Sequence, residues 1–278
     1  MKSRDTNAVK EFYEKTAKDY DKEYEEPYWK LYQEITWRNI RLFLPKGKGA
    51  VILDAGGGTG CWTIKLAKLG YRVVLTDISE NMLKVAEEKI GKKKLQGKIE
   101  TRIVDIRDMS CFKSNLFDMA LAEGDPVSYC LDPEKAVKEL TRVVKPNAHV
   151  IVSVDSKYSL IPRLIAERSF NELSRLLREG IMKSTDRSIE AELEFQAFTP
   201  EEVKALFENC GLRLVRMIGK PVLTHFVPSE KRNEIVGENF KRILDLETKF
   251  CDTPSLVGMG GHLEAVGIKQ GTEKHKRS

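Results

Sequence analysis

The sequence predicts an α/β fold: a doubly wound, mostly parallel sheet with helices on both faces. Three observations carry this. Seven short β-branched runs recur along the chain, amphipathic helical stretches separate most of them, and a glycine-rich turn follows the first. At 278 residues the chain can bury such a core without disulfides or a metal to staple it.

The elements follow in order. Phe12, Tyr13, Tyr20, Tyr24, Tyr28, Trp29 and Tyr32 crowd the start, and Leu31, Ile35, Ile40, Leu42 and Phe43 form an apolar stripe at helical spacing, ending before Pro45. Residues 1–45 therefore read as an N-terminal helical cap. After the turn Lys46-Gly47-Lys48-Gly49, residues 50–53 read as a strand and 62–69 as a helix stopped by Gly70. Residues 72–76 are the second strand, and Ser79 caps a helix that stops at Gly91. Strands three and four fall at 99–104 and 117–122. Asp132-Pro133-Glu134 opens the next helix with a capping carboxylate and a proline at its first position. That helix ends at Lys145-Pro146, and residues 149–154 are strand five.

The stretch from 157 to about 188 breaks the rhythm. Leu160, Ile161, Leu164, Ile165, Phe170, Leu173, Leu176 and Leu177 stand at helical spacing, predicting one or two helices. Lying directly after a strand end, residues 157–198 are a candidate lid. Thr199-Pro200-Glu201-Glu202 then forms a capping box, and its helix stops at Gly211. Residues 212–218 are strand six, 230–250 one long helix, and 262–268 strand seven. The core thus spans 46–156 and resumes over 199–269, followed by a polar, basic tail at 270–278.

Composition bounds the function. Lys plus Arg number 47 and Asp plus Glu 42, a net charge of +5, which permits an anionic partner without demanding one. No apolar run approaches the roughly 18 residues of a membrane span, and Met1-Lys2-Ser3-Arg4-Asp5 leads into no apolar stretch. The five cysteines, Cys61, Cys111, Cys130, Cys210 and Cys251, form no CxxC pair. Reduced thiols in a cytoplasm are expected, with no zinc site. HExxH is absent, so no catalytic metal is expected.

The informative stretch is Val51-Ile52-Leu53-Asp54-Ala55-Gly56-Gly57-Gly58-Thr59-Gly60. Glycines let the backbone turn tightly and let a ligand approach where a Cβ would block it. The helix that follows offers unpaired amides to an anionic group. The dinucleotide frame GxGxxG fails, because the third position is Cys61 or Thr63, and no P-loop GK[ST] is present. Acidic-x-Gly-x-Gly-x-Gly fits, as Asp54, Gly56, Gly58 and Gly60. Asp77 ends the second strand 23 residues later, placed to accept ribose hydroxyls, and Asp105 follows the third, placed to accept from a purine amino group. A lone strand-end Asp is as often a helix cap; three at successive strand ends point to a nucleoside site.

With these residues the chain resembles the class I S-adenosylmethionine-dependent methyltransferases over roughly residues 8–269, on the glycine motif, Asp77, Asp105 and Phe117-Asp118. The resemblance implies a Rossmann-like methyltransferase fold of seven strands, the last antiparallel, with S-adenosyl-L-methionine as cofactor. It implies that Gly56, Gly58 and Gly60 line the methionine part and that Asp77 holds the ribose, with Ile78 against the adenine. Asp105 and the amide of Ile106 would read the adenine edge, Ala122 and Glu123 would lie under the sulfonium, and Tyr20 would also bind the cofactor. Phe12-Tyr13, Asp19-Tyr20-Asp21, the Phe198 to Glu202 box and Cys210-Gly211-Leu212 resemble the small-molecule, quinone-biosynthesis-like branch. Lys145-Pro146-Asn147-Ala148 departs from the family's Pro-Gly-Gly, so the turn before strand five is expected to differ.

Methyl transfer is an in-line displacement, for which a protein mainly supplies alignment and a dry site. If a general base is needed, Tyr20, Glu123, Asp125, Tyr129 and His225 are candidates, with His225 in a loop after strand six. His149 and His262 sit in strands and read as structural. Gly124-Asp125-Pro126-Val127-Ser128-Tyr129 lacks the second proline and in-register aromatic of base-amine methyltransferases, so methylation of a nucleic-acid base amine is disfavoured and Asp125-Pro126 reads equally well as a turn. Lys89, Lys92, Lys93, Lys94, Lys98 and Arg102 could contact phosphates but read more simply as a solvated surface. The leading expectation is a methyltransferase acting on a small molecule. An RNA or protein methyltransferase, and a non-catalytic cofactor-binding protein, are the alternatives.

Overall fold

The computed structural model describes residues 6–47, 49–186 and 191–271. The N-terminal cap is three helices, α1 (Thr6–Thr16), α2 (Tyr20–Glu23) and α3 (Pro27–Leu42). Pro27 starts α3, whose buried face is Tyr28, Leu31, Tyr32, Ile35, Thr36, Asn39 and Ile40. That is the i, i+3, i+4, i+7 stripe of an amphipathic helix.

The sheet then builds in alternation: β1 (Val51–Ala55), α4 (Cys61–Lys68), β2 (Arg72–Asp77), α5 (Glu80–Lys92), β3 (Ile99–Ile103) and β4 (Phe117–Ala122). A one-turn helix α6 (Pro126–Tyr129), α7 (Pro133–Val143) and β5 (Val144–Asp155) follow. After α8 (Lys157–Ala166) and α9 (Phe170–Glu179) comes a hairpin, β6 (Ile181–Asp186) with β7 (Ala191–Gln196). The chain closes with α10 (Pro200–Asn209), β8 (Leu212–Lys220), α11 (Ser229–Glu238), α12 (Phe240–Phe250), α13 (Pro254–Val257) and β9 (His262–Lys269). The seven-stranded sheet has the order β3-β2-β1-β4-β5-β9-β8. β1 to β5 are parallel and β9 is antiparallel to both of its neighbours.

The expected fold class is therefore observed. Alternate residues of the central strands feed two cores: Ala120 and Ala122 of β4 pack with Phe117, Leu140, Val150 and Phe207, while Met119 and Leu121 pack with Ile40, Trp62, Leu66 and Ile151. Both faces are covered by helices, which is why the central strands read as nearly continuous apolar runs. The predicted caps form: Ser79 Oγ accepts from the Met82 amide at 3.2 Å, Asp132 Oδ1 from the Lys135 amide at 3.0 Å, and Thr199 and Glu202 close their box. No helix among the described residues is long and apolar enough to cross a membrane.

Four expectations are corrected. Residues 181–186 are strand, not helix, because Gly180 at φ +71 stops α9 and Met182 then pairs with Phe195 across the hairpin. Met182, Leu193 and Phe195 share one small core with Leu164 and Leu176, a period of two rather than 3.6. The long helix at 230–250 is two, broken at Asn239, whose φ of −119° leaves the helical region and whose Nδ2 donates to the Ile235 carbonyl. Gly91 does not end its helix, which runs on to Lys92 before Lys94 takes the left-handed turn at φ +56. Strand five starts at Val144, with an irregularity in pairing to β4 and Asn147 at φ +64, which is where the departure from Pro-Gly-Gly falls. The basic tail expected at 270–278 lies, beyond Gly271, outside the described residues.

Candidate active site

The strand order reverses between β1 and β4, and a cleft of about 660 Å³ opens at the carboxyl ends of β1 to β4. The glycine loop forms its floor. Gly56 and Gly58 have φ of +67° and +54°, a region that L side chains avoid. A Cβ on Gly56 would lie 2.6 Å from Pro126, so the glycine lets α6 close against the loop. A Cβ on Gly58 would meet only Met82 Sδ at 4.0 Å, so that glycine leaves the cleft open. Gly60, at φ +80, faces Ala86 and Leu75 and shapes the turn from behind.

Asp54 is wholly buried and does not line the cleft. Its Oδ2 accepts from the Thr63 amide at 3.0 Å and the Thr63 hydroxyl at 2.6 Å, tying the loop to α4. Burial pushes it up to about 6. Asp77 lines the cleft: Oδ2 accepts from the Gly58 amide at 2.9 Å and Oδ1 from the Ser79 amide at 2.8 Å. Burial pushes Asp77 up to about 6 as well, against those amides. Ile78 and Ile106 add apolar wall. Asp105 also lines the cleft, but both its oxygens face Arg107, at 3.0 Å (Oδ1 to Nε) and 2.6 Å (Oδ2 to Nη2). Any purine amino group would share that carboxylate with a guanidinium. A carboxylate beside a turn of amides, apolar walls, and open space above Gly58 fit an adenosyl group.

A second lobe, about 460 Å³, joins the first at Tyr20, Gly56, Gly58 and Gly124 and reaches Tyr24, Tyr32 and Glu123. The N-terminal helices roof it. Asp21 pins them: Oδ1 accepts from the Thr59 hydroxyl at 2.6 Å and Oδ2 pairs with Lys89 at 2.7 Å. Rings run unbroken from Tyr129 through Tyr13, Tyr20, Tyr24 and Trp29 to Tyr32, with neighbouring centroids 5.5–6.4 Å apart. Tyr129 stacks on Phe195 of the hairpin at 5.4 Å. Burial raises Tyr20 to about 12, and raises Tyr13, Tyr24 and Tyr129 as well, so these hydroxyls stay protonated.

Beneath the rings lies a buried charge cluster. Lys220 ends β8 and is fully buried; its Nζ donates to Glu123 Oε2 at 2.7 Å, to Thr36 at 3.0 Å and to Glu264. Glu123, raised by burial and by Glu264, is thus a bound partner of Lys220. Ala122 is buried in the sheet core and does not line the cleft. Asp125 sits at φ +64 at the start of α6, with its amide and that of Gly124 donating to Ser153 Oγ at 3.0 Å. Its Oδ2 lies 2.8 Å from His262 Nδ1. Burial opposes both charges, yet His262 holds Asp125 low, and Asp125 with Asp155 holds His262 high. Asp155, at the end of β5, is pushed up to about 7 by burial and then by Asp125.

His225 does not join them. Its Nδ1 lies 3.0 Å from the Tyr28 hydroxyl, and a Cβ on Gly261 would lie 2.5 Å from that nitrogen, so the ring is wedged behind the site. Burial depresses it to about 4. Its loop is set by Glu247, which takes the amides of Val222, Leu223 and Thr224. The histidine paired with Asp125 is His262, which in the sequence reads as structural. β9 runs antiparallel, so its first residue pairs with Asp155, the last of β5, and lands at the carboxyl edge. That antiparallel direction was the available signal.

The family model described as a methyltransferase domain matches residues 53–152. The ubiquinone/menaquinone biosynthesis C-methyltransferase UbiE of Teredinibacter turnerae is 31% identical over 64% of this chain and 74% of its own. The tRNA 5-carboxymethoxyuridine methyltransferase of Escherichia coli K12 is 21% identical over 86% of this chain and 88% of its own. A SAM-dependent methyltransferase structure from Methanosarcina mazei, 20% identical, superposes with a TM-score of 0.59 over 84% of this chain and 97% of that one. The chain belongs to the class I S-adenosylmethionine-dependent methyltransferases, with S-adenosylmethionine as cofactor.

Proposed function

We propose that this enzyme methylates a small molecule held between the tyrosine roof and the Asp125–His262 pair. One observation carries the reading: a second lobe adjoins the cofactor cleft, lined by Tyr20, Tyr24 and Tyr32 of the N-terminal helices with Glu123 and Gly124, while Tyr129 of the cleft wall stacks on Phe195 of the hairpin. Bound S-adenosylmethionine supplies an electrophilic methyl group on a sulfonium. Asp77 holds the ribose, Gly56 and Gly58 admit the methionine part, Ile78 and Ile106 flank the adenine, and the Ile106 amide with Asp105 reads its edge. The rings exclude water and align the acceptor. Asp155 takes the acceptor's proton beside the Asp125–His262 pair, and α8, α9 and the hairpin act as the lid.

A second reading, an RNA substrate, is favoured by how completely the tRNA methyltransferase aligns with this chain. The basic surface does not strengthen it. Lys89 is paired with Asp21 and Arg102 with Glu100, which leaves lysines on a solvated helix end. Labelled S-adenosylmethionine with total cell extract separates the two. Label in the low-mass, nuclease-resistant fraction supports the small-molecule reading; label confined to nuclease-sensitive RNA overturns it.

A further inference from the structure

The buried cluster is short of positive charge. Glu123 and Glu264 share Lys220, and Asp125 and Asp155 share His262: four carboxylates against two bases. Burying an ion without compensation is costly, so such a site calls for protons or a cationic occupant. The hydrogen bonding points the same way. Asp125 Oδ1 and Asp155 Oδ2 are shielded from solvent and have no hydrogen-bond partner among the described residues, although Asp125 is only 6% exposed. Ionised carboxylate oxygens only accept, so the missing partner must donate.

The surroundings narrow the donor. Gly124 and Pro126, on either side of Asp125, line the cleft together with Tyr13, Tyr20 and Tyr129. Trp29 and Tyr32 contact the His262 ring at 5.9 and 5.0 Å between centroids. Aromatic faces over carboxylates attract organic cations by cation–π interaction. The ligand atoms of Asp125, Asp155 and His262 also lie within 4.8 Å of one another, close enough for a metal ion. A hard divalent ion, however, needs further oxygen ligands where this site offers rings, and His262 Nδ1 is already committed to Asp125.

We infer that Asp125 and Asp155, under the tyrosine and tryptophan rings, form a subsite for the ammonium group of an amine acceptor. This rests on the small-molecule reading above and narrows it to amines. Anionic acceptors are repelled by the same carboxylates. An ammonium must shed one proton before its nitrogen carries a lone pair, and Asp155 Oδ2, with no base of its own, receives it.

The test is calorimetric, on the full chain at pH 7. S-adenosylhomocysteine is titrated first. The saturated protein is then titrated with 2-phenylethylamine and with 2-phenylethanol, the same skeleton carrying –NH3+ or –OH. Expected is at least tenfold tighter binding of the amine, a preference that falls below threefold in Asp125→Asn and in Asp155→Asn. Two variants are used so that one failing to fold leaves the other to read. Equal or tighter binding of the alcohol, an amine preference untouched by both variants, or stoichiometric Mn2+ binding that blocks the amine would overturn the subsite. Absence of S-adenosylhomocysteine binding would instead sink the methyltransferase reading and this one with it.

Discussion

The site has two halves built in opposite ways. The half proposed for the cofactor is local: Gly56, Gly58, Asp77, Ile78, Asp105 and Ile106 lie within about 50 residues, on consecutive strand ends, and their contacts run mostly to immediate neighbours. The half proposed for the acceptor is collected from across the chain: Tyr13, Tyr20 and Trp29 from the N-terminal helices, Asp125 and Tyr129 from the cap and end of α6, Asp155 from β5, Lys220 from β8 and His262 from β9. A cofactor common to a family can be held by a contiguous motif. An acceptor peculiar to one enzyme is held by whatever the fold brings to the same edge.

If the acceptor half performs proton removal, it can be disabled without touching the other. Asp155→Asn is expected to lower turnover by about 10²- to 10⁴-fold, the range for a lost acid–base group, with S-adenosylhomocysteine affinity within about threefold. Steady-state rates on the identified acceptor check this. Unimpaired turnover would return Asp155 to a structural role.

The buried lysine sharpens the comparison on stability. Lys220→Met would leave Glu123 and Glu264 facing each other without a cation, at a cost of about 3–5 kcal/mol. Chemical denaturation should show that loss. The cofactor half has no equivalent, because Asp54 and Asp77 are answered by hydroxyl and amide donors rather than by a buried base.

Titration gives a smaller and signed effect. Asp155 is raised to about 7, and its charge is set against Asp125, His262, Tyr13 and Tyr129, which face it from α6, β9 and α1. Only its ionised form can accept a proton. Turnover should therefore climb about tenfold per pH unit below 7 and level off above it, and Asp155→Asn should abolish that limb in the pH profile. The smallest effect is expected at His225. His225→Phe should leave turnover within about threefold, since the ring is neutral and held behind the site by Tyr28.

The same division explains what the sequence made legible. The first four parallel strands, the capping residues Ser79, Asp132 and Thr199, and the glycine turn are local features, and each formed close to where the pattern put it. Asp54 and Gly60 belong to the motif yet support the loop from behind. Nothing in a one-dimensional pattern tells a strand-end carboxylate that faces the ligand from one that faces Thr63. His225 stands in a loop and reads as a candidate base, while His262 begins a strand and reads as structural. The antiparallel direction of β9 is what brings His262 beside Asp155 and Asp125. Lys220 was invisible for the same reason: a lysine beside Pro221 reads as surface until β8 is known to end between Glu123 and Glu264. The hairpin was missed because Leu193 and Phe195 follow a stretch whose leucines are truly helical.

The most direct measurement is calorimetry of S-adenosylhomocysteine against the wild-type chain, Asp77→Ala and Asp125→Asn, with NAD as control. Asp77→Ala removes the proposed ribose acceptor together with the anchor of the Gly58 amide. It should weaken binding at least 100-fold, about 2.7 kcal/mol, while Asp125→Asn stays near wild type and NAD does not bind. Equal losses in the two variants would show that the halves are not separable, and undiminished binding by Asp77→Ala would place the cofactor elsewhere.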